Sequence, residues 1–267
     1  MSEPSGADLA DDLVLANELA DIADAVSMRY FRSIDLVVTT KPDLTPVTQA
    51  DHEIESAIRD LVAARRPRHA IVGEEFGGDV DAVSGWRWVI DPIDGTKSFV
   101  RGNETWGTLI ALQHHGTSVV AVASTPAFGH RYAAVRGGGA TLDGRRVHVS
   151  AVDSIEQSMI AHTSVSGFAR AGMEAELLRI AKRCWDARGL GNVLSHLAVA
   201  RGTADIGWTS RACVWDYAAL SLIVEEAGGR FLDRSGDGPL GGTGLSTNGI
   251  LHEPVLAFTG ADRNRHP

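Results

Sequence analysis

The sequence predicts a mixed chain: an α+β half rich in antiparallel strands over residues 1–150, followed by an α/β half over residues 151–267. Three observations carry this. Before Ser150, short apolar runs are joined by tight-turn signals such as Asp143-Gly144. After Ser150, strand-like and helix-like runs alternate. Carboxylates also cluster where apolar runs begin or end, and they do so in both halves.

In order along the chain, Leu9, Leu13, Ala16, Leu19, Ala23, Val26 and Tyr30 recur at steps of three and four, which is an amphipathic helix behind a frayed tail at residues 1–7. Asp35 to Thr40 reads as a strand, and Lys41 to Val47, with two prolines, as a loop. Gln49 to Arg65 reads as a second helix, with Thr48 and Asp51 spaced as a capping box. Ala70 to Gly73 and Trp86 to Ile90 read as strands leading into acidic turns, and residues 77–85 as a Gly- and Asp-rich loop. Thr108 to Gln113 and Val119 to Ala123 form a hairpin. Tyr132 to Val135, Thr141-Leu142 and Arg145 to Val149 continue the strands. In the second half, strands are expected at Ser158 to Ala161, Ala204 to Trp208 and Gly229 to Leu232. Helices are expected at Met173 to Arg183, Asn192 to Arg201, Asp216 to Ala227 and from Leu251. Gly236 to Gly244 reads as a flexible loop.

The 267 residues allow one large domain or two packed ones, and 44% apolar content can build a sizeable core. A formal net charge of −9 argues against nonspecific nucleic-acid binding and against membrane binding. Two cysteines, Cys184 and Cys213, do not make a disulfide framework. The first 24 residues lack the pattern of a secretion signal, and no apolar run reaches transmembrane length. A cytoplasmic protein is the expectation.

The stretch Trp88-Val-Ile-Asp91-Pro92-Ile93-Asp94-Gly95-Thr96 brings an apolar run up to a carboxylate, then a proline that breaks strand pairing, then a second carboxylate. Two acids this close repel each other unless a cation lies between them, and hard cations such as Mg²⁺ prefer oxygen ligands. A solvated Asp-Pro turn is the plainer alternative. Gly73-Glu74-Glu75 and Trp215-Asp216 add two more acidic element ends.

With these three motifs at this spacing, the chain resembles the inositol monophosphatase superfamily of Mg²⁺-dependent, lithium-sensitive phosphatases, from about Asp8 to Leu256. The resemblance implies a layered αβαβα sugar-phosphatase fold with the active site between two subdomains, and the motifs agree, since Asp91 and Asp216 come from opposite halves. It implies that Glu74, Asp91 and the Ile93 carbonyl hold one Mg²⁺ and that Asp91, Asp94 and Asp216 hold a second. A third, weaker site shares Glu74. Thr96 and Asp51, hydrogen-bonded to each other, would orient and activate the attacking water, and the N–H groups of Gly95 and Thr96 would hold phosphate oxygens. Asp51 as a cap and Thr96 as a helix start are the structural alternatives. Glu75 is implied as a supporting acid or as a solvated one. Lys41 and Arg101 are cations near the site or exposed on loops.

The segments around Lys41, Glu74 and Lys97 look most like the histidinol-phosphate phosphatase branch, so the implied reaction is hydrolysis of histidinol phosphate to histidinol in histidine biosynthesis. Two positions depart from that pattern. Thr209 stands where many relatives have a Glu seven residues before the W-D aspartate, and Asn192 stands where histidinol-phosphate enzymes tend to carry an Asp. Both departures favour a rival, an inositol, sugar or nucleoside monophosphate, with His196, Trp208 and Arg211 as candidate pocket residues. A rival of another class is a regulatory or scaffolding protein on the same fold. The implied partner is a small phosphorylated metabolite and the implied assembly a homodimer.

Overall fold

A computed structural model describes residues 6–42, 45–80, 84–232 and 242–259. Most of the N-terminal tail, part of the Gly- and Asp-rich stretch and most of the loop expected at 236–244 lie outside the described residues.

Helix α1 (Gly6–Tyr30) leads to a small antiparallel ribbon, β1 (Val38–Thr40) and β2 (Pro46–Thr48). The first strand is therefore shorter than expected, and the proline-rich stretch is partly strand. Pro46 is tolerated because it opens the strand of an isolated ribbon, where no further neighbour needs its N–H. Helix α2 (Gln49–Arg65) starts at the expected capping box. A seven-stranded sheet follows in spatial order β3 (Ala70–Gly73), β4 (Trp86–Asp94), β5 (Gly107–His114), β6 (Thr117–Thr125), β7 (His130–Val135), β8 (Gly139–Leu142) and β9 (Arg145–Arg146). All of its pairings are antiparallel except β3 with β4. A short helix α3 (Thr96–Val100) branches off between β4 and β5.

The second half holds β10 (Met159–His162), α4 (Val165–Arg170), α5 (Glu174–Ala181), β11 (Asp186–Gly189), α6 (Asn192–Ala200), β12 (Ile206–Thr209), α7 (Val214–Glu226), β13 (Arg230–Leu232), β14 (Gly244–Thr247) and α8 (His252–Thr259). Its five strands run in the order β11-β10-β12-β14-β13, with the first three parallel. Three of these elements, α4, β11 and β14, are absent from the sequence reading. Each is short, and Asp186-Ala-Arg-Gly189 has no β-branched or aromatic residue to announce a strand.

The layers follow from side-chain alternation. On β4, Trp88 and Ile90 point into a core shared with Leu15 and Leu19 of α1 and Ile54 and Ile58 of α2. Val89 points the other way, into a core with Leu109, Ala121, Ala123 and the buried face of α7. Residues 217–224 of α7 are buried without interruption, so this helix has no polar side within that run and is buried all round. With α6 it fills the space between the two sheets, which lie before and after residue 150. Beyond the five-stranded sheet, Phe168, Leu177 and Ile180 of α4 and α5, with Leu251 and Val255 near and on α8, cover Ile160, Ile206 and Trp208. The order helices, sheet, helices, sheet, helices is the αβαβα arrangement expected.

The alanines of β5, β6 and β7 that face α7 let the helix approach closely. Ala121→Leu should lower unfolding free energy by about 1–3 kcal/mol through overpacking, as measured by urea denaturation; an unchanged midpoint would show that this layer is not tightly packed.

Candidate functional site

The site forms where β4 ends against α6 and α7. Three residues separate Asp91 from Asp94, and in a regular strand that spacing puts side chains on opposite faces. Here Asp91 pairs with Leu109 and Asp94 with Gly107, so Pro92 and Ile93 stand opposite Thr108 alone. This is a β-bulge, and the extra residue returns Asp94 to the face of Asp91. The strand thus continues through the stretch where a turn was expected. Pro92 has no N–H to leave unpaired, and its carbonyl accepts a hydrogen bond from Thr108 Oγ1 at 2.8 Å. Gly95 then takes a left-handed conformation, φ 90°, where a Cβ would lie 2.8 Å from the Thr105 carbonyl.

Asp216 arrives from the opposite side as the third residue of α7. Carboxylate oxygens of Asp91, Asp94 and Asp216 lie within 4.8 Å of one another. Asp91 Oδ1 and Asp94 Oδ2 are buried with no hydrogen-bond partner. Burial raises the pKa of Asp91 and Asp216 well above the usual carboxylate range, and the neighbouring acids raise it further. Asp94 is pushed up to about 7, mainly by burial. Unpartnered, buried, mutually repelling oxygens are the donor set a hard divalent cation fits.

Asp51 lies on α2, also buried, with its pKa pushed up to about 7 mainly by burial. Its Oδ2 accepts from the Thr48 N–H at 2.8 Å and the Thr48 hydroxyl at 2.6 Å, while Oδ1 has no partner. The expected bond from Thr96 to Asp51 is not formed: Thr96 Oγ1 donates to the Ile93 carbonyl at 3.1 Å, and Asp51 is held by its cap. Asp216 is anchored in the same way, with Oδ2 accepting from the Cys213 N–H.

Glu74 follows β3, with its N–H on the Ile90 carbonyl at 3.2 Å. It lies outside the tight trio, and its Oε1 accepts from Lys41 Nζ at 2.8 Å. Lys41 also reaches Glu75 Oε1 at 2.7 Å. Burial lowers the Lys41 pKa, but the bonds to Glu74 and Glu75 outweigh it and raise the value overall. Glu75 is raised, chiefly by burial. The N–H groups of Gly95 and Thr96 open α3, where helical donors have no acceptor within the helix. Arg101 is exposed at the far end of α3 and lines neither of the two clefts at the site.

Those clefts meet at Thr45 and Arg211. One, of about 290 Å³, includes Lys41, Glu74 and Asp216. The other, of about 700 Å³, runs from Asp94, Asn192 and Thr209 to Lys97 and Arg170. Among its described lining residues Asp94 is the sole acid. Of the pocket residues expected, Arg211 faces both clefts, His196 is buried beneath Thr209, and Trp208 points into the outer core against Phe168.

Glu55 is a residue the sequence reading missed. It is fully buried one turn after Asp51, pairs with Arg59 at 2.7 Å, and accepts the N–H groups of Glu75 and Phe76 at 2.8 and 3.1 Å. It therefore shapes the acidic turn after β3. The signal was an acid between Ile54 and Ile58 on an apolar face, spaced i, i+4 from Asp51.

The model of the inositol monophosphatase family matches residues 8–260. A histidinol-phosphatase of Mycobacterium tuberculosis is 44% identical, over 92% of this chain and 96% of its own length. One from Streptomyces coelicolor is 41% identical, over 94% and 97%. Among solved structures, an inositol monophosphatase from Zymomonas mobilis superposes with a TM-score of 0.82 at 30% identity, covering 96% of this chain and 99% of that one. These relatives bear out the expectation of a phosphoric monoester hydrolase acting on small phosphorylated compounds. On its sequence, its layers and its acidic centre together, the chain belongs to the inositol monophosphatase family.

Proposed function

We propose that this protein is a Mg²⁺-dependent phosphatase that hydrolyses histidinol phosphate to histidinol. The observation that carries the chemistry is the convergence of Asp91, Asp94 and Asp216, in which Asp91 Oδ1 and Asp94 Oδ2 are buried without a protein partner. The similarity to histidinol-phosphatases over nearly the full chain supports the substrate.

Asp91, Asp94 and Asp216 would hold one cation; Glu74, Asp91 and the Ile93 carbonyl would hold another, with a weaker third sharing Glu74. When bound, Mg²⁺ neutralises the ester dianion, lowers the pKa of water and stabilises the leaving alkoxide. The chain's own residues do the rest. Gly95 and Thr96 present N–H groups to the phosphoryl oxygens at the start of α3. Thr96 and Asp51 would orient and activate the attacking water: Asp51 Oδ1 has no protein partner, and its carboxyl, pushed up to about 7 mainly by burial, is matched to take a proton near neutral pH. Lys41, bridging Glu74 and Glu75, keeps those acids from repelling each other and from drifting out of the site. The assembly proposed is a cytoplasmic homodimer, checked by light scattering.

A second reading is favoured by the larger cleft. Lys97, Arg170 and Arg211 line it against one acid, Asp94. Histidinol phosphate carries an ammonium, which gains little from such surroundings. A neutral or anionic distal group, as on a sugar or nucleoside monophosphate, suits them better.

Phosphate release with Mg²⁺ from histidinol phosphate, inositol 1-phosphate, sugar phosphates and nucleoside monophosphates separates the two. A preference for histidinol phosphate of about a hundredfold in kcat/KM, roughly 2.7 kcal/mol, supports the first reading; preference for a sugar or nucleoside ester selects the second. Asp94→Asn should cost more than the roughly 10–100-fold typical of an outer-shell partner, while the metal-free protein becomes no less stable, because a buried repelling charge is removed. Near-normal turnover would take Asp94 out of the site.

Asp51 and Asp94 have folded pKa values of about 7 against an ordinary 3.8, so their neutral forms favour folding. Stability from these groups is complete below pH of about 4 and is lost as pH rises through about 7. In EDTA the Tm should therefore fall between pH 5 and pH 8, and millimolar Mg²⁺ should restore it at pH 8 by binding the folded state. Calorimetry showing a Tm that rises over this range without metal would contradict the site as described.

A further inference from the structure

The two positions read in the sequence as departures from the family pattern, Asn192 and Thr209, touch each other. Thr209 Oγ1 donates to Asn192 Oδ1 at 2.6 Å. Asn192 Nδ2 lies 2.9 Å from Asp94 Oδ1 and 3.4 Å from Asp216 Oδ1. Behind Thr209, His196 Nε2 is 3.0 Å from Oγ1, and His196 Nδ1 is 2.8 Å from Ser246 Oγ. His196, Thr209 and Ser246 are all buried.

Proton counting gives this chain of contacts one direction. Asn192 Oδ1 has no proton, so the single hydroxyl proton of Thr209 goes to it. Nε2 of His196 must then carry a proton and donate to Thr209. Burial lowers the His196 pKa to about 3, so the ring is neutral, and its Nδ1 accepts from the Ser246 hydroxyl. Donation therefore runs from Ser246 through His196, Thr209 and Asn192 to Asp94 and Asp216. With Asp94 ionised, as a metal ligand must be, reversing the Asn192 amide would set its oxygen 2.9 Å from Asp94 Oδ1, acceptor against acceptor. The fold also keeps room for the first link. A Cβ on Gly207 would lie 2.4 Å from Ser246 Oγ and 3.0 Å from His196 Nδ1.

We propose that Asn192 is a positioning residue for the metal acids, locked in one amide orientation by Thr209 and His196, so that the two departures act as a single unit serving metal binding and not substrate recognition. The proposal rests on the metal-dependent reading above. With its oxygen on Thr209 and both N–H groups on Asp94 and Asp216, Asn192 has no donor left to offer a substrate, and only one lone pair of its oxygen stays open. An Asp at 192 would press a fourth carboxylate against the trio, whereas the amide links Asp94, on the first sheet, to Asp216, on α7. Outer-shell partners of this kind set the orientation and basicity of metal ligands.

The test is calorimetric titration of Mg²⁺ into the metal-free full chain, for the wild type, Thr209→Val, Thr209→Ser, Asn192→Ala and the Thr209→Val/Asn192→Ala double variant, with a melting curve for each. Thr209→Val and Asn192→Ala should each weaken Mg²⁺ by about tenfold. The double variant should be no weaker than the worse single one, and Thr209→Ser should recover affinity to within about twofold of wild type, because it keeps the hydroxyl. Wild-type affinity in folded Thr209→Val, or losses that simply add, would overturn the relay. Should Thr209→Val not fold, Asn192→Ala decides alone, since residue 192 is only partly buried at a helix start: undiminished affinity there overturns the proposal. A wild type that binds no Mg²⁺ fails the metal reading itself and takes the relay with it, a result distinct from variants that match a metal-binding wild type.

Discussion

The structure depends on how it holds like charges together in a dry place. Asp91, Asp94 and Asp216 converge, the first two each with a buried oxygen that lacks a partner, and Asp51 waits nearby with another. Such a cluster opposes folding, and it persists because the acids are fixed from behind. Asp51 and Asp216 each occupy the third position of a helix and give one oxygen to the N–H of the residue that caps it. Asp94 leans on the first turn of α6 through Asn192 and the Val193 N–H. In Asp51 and Asp94 one oxygen is tied to backbone or side chain and the other has no partner. A helix cap and a place in the acidic centre are here two ends of one carboxylate.

The backbone makes the same economy. β4 must carry Trp88 and Ile90 toward α1 and α2 and also aim two acids at α7. Strict alternation cannot place Asp91 and Asp94 on one face, so the pairing with β5 slips by one residue at Pro92-Ile93. The proline, which donates nothing, occupies the slip. The short run Asp-Pro-Ile-Asp is therefore an instruction for a bulge as much as a pair of acids.

Much of this was legible in the sequence. Long periodic elements such as α1, α2 and α7 announce themselves, because burial on one stripe or all round dictates their composition. The acids at element ends pointed to the centre, and the Thr48–Asp51 spacing gave the cap. The rest depended on contacts far apart in the chain. Asp186 to Gly189 is a strand only because Met159 to His162 lies beside it, and Gly244 to Thr247 because two strands flank it. Thr96 turns to the Ile93 carbonyl and not to Asp51, a choice that spacing alone does not reveal. Thr209 and Asn192 looked like two lost acids; that they bond to each other required β12 to be seen against α6. Glu55 was hidden by its position among apolar neighbours.

The layers also separate what must stay from what can drift. The acids come from β4, α2 and α7, elements embedded in the two inner cores. The far wall of the larger cleft, with Gly167, Arg170 and Ala171, comes from α4 and the residue that ends it, packed only in the outermost layer. Mutations there would alter the shape and charge of the cleft while leaving the inner cores and the acids untouched. On this plan the wall of the cleft can be edited through one peripheral helix without disturbing the frame that holds the acids.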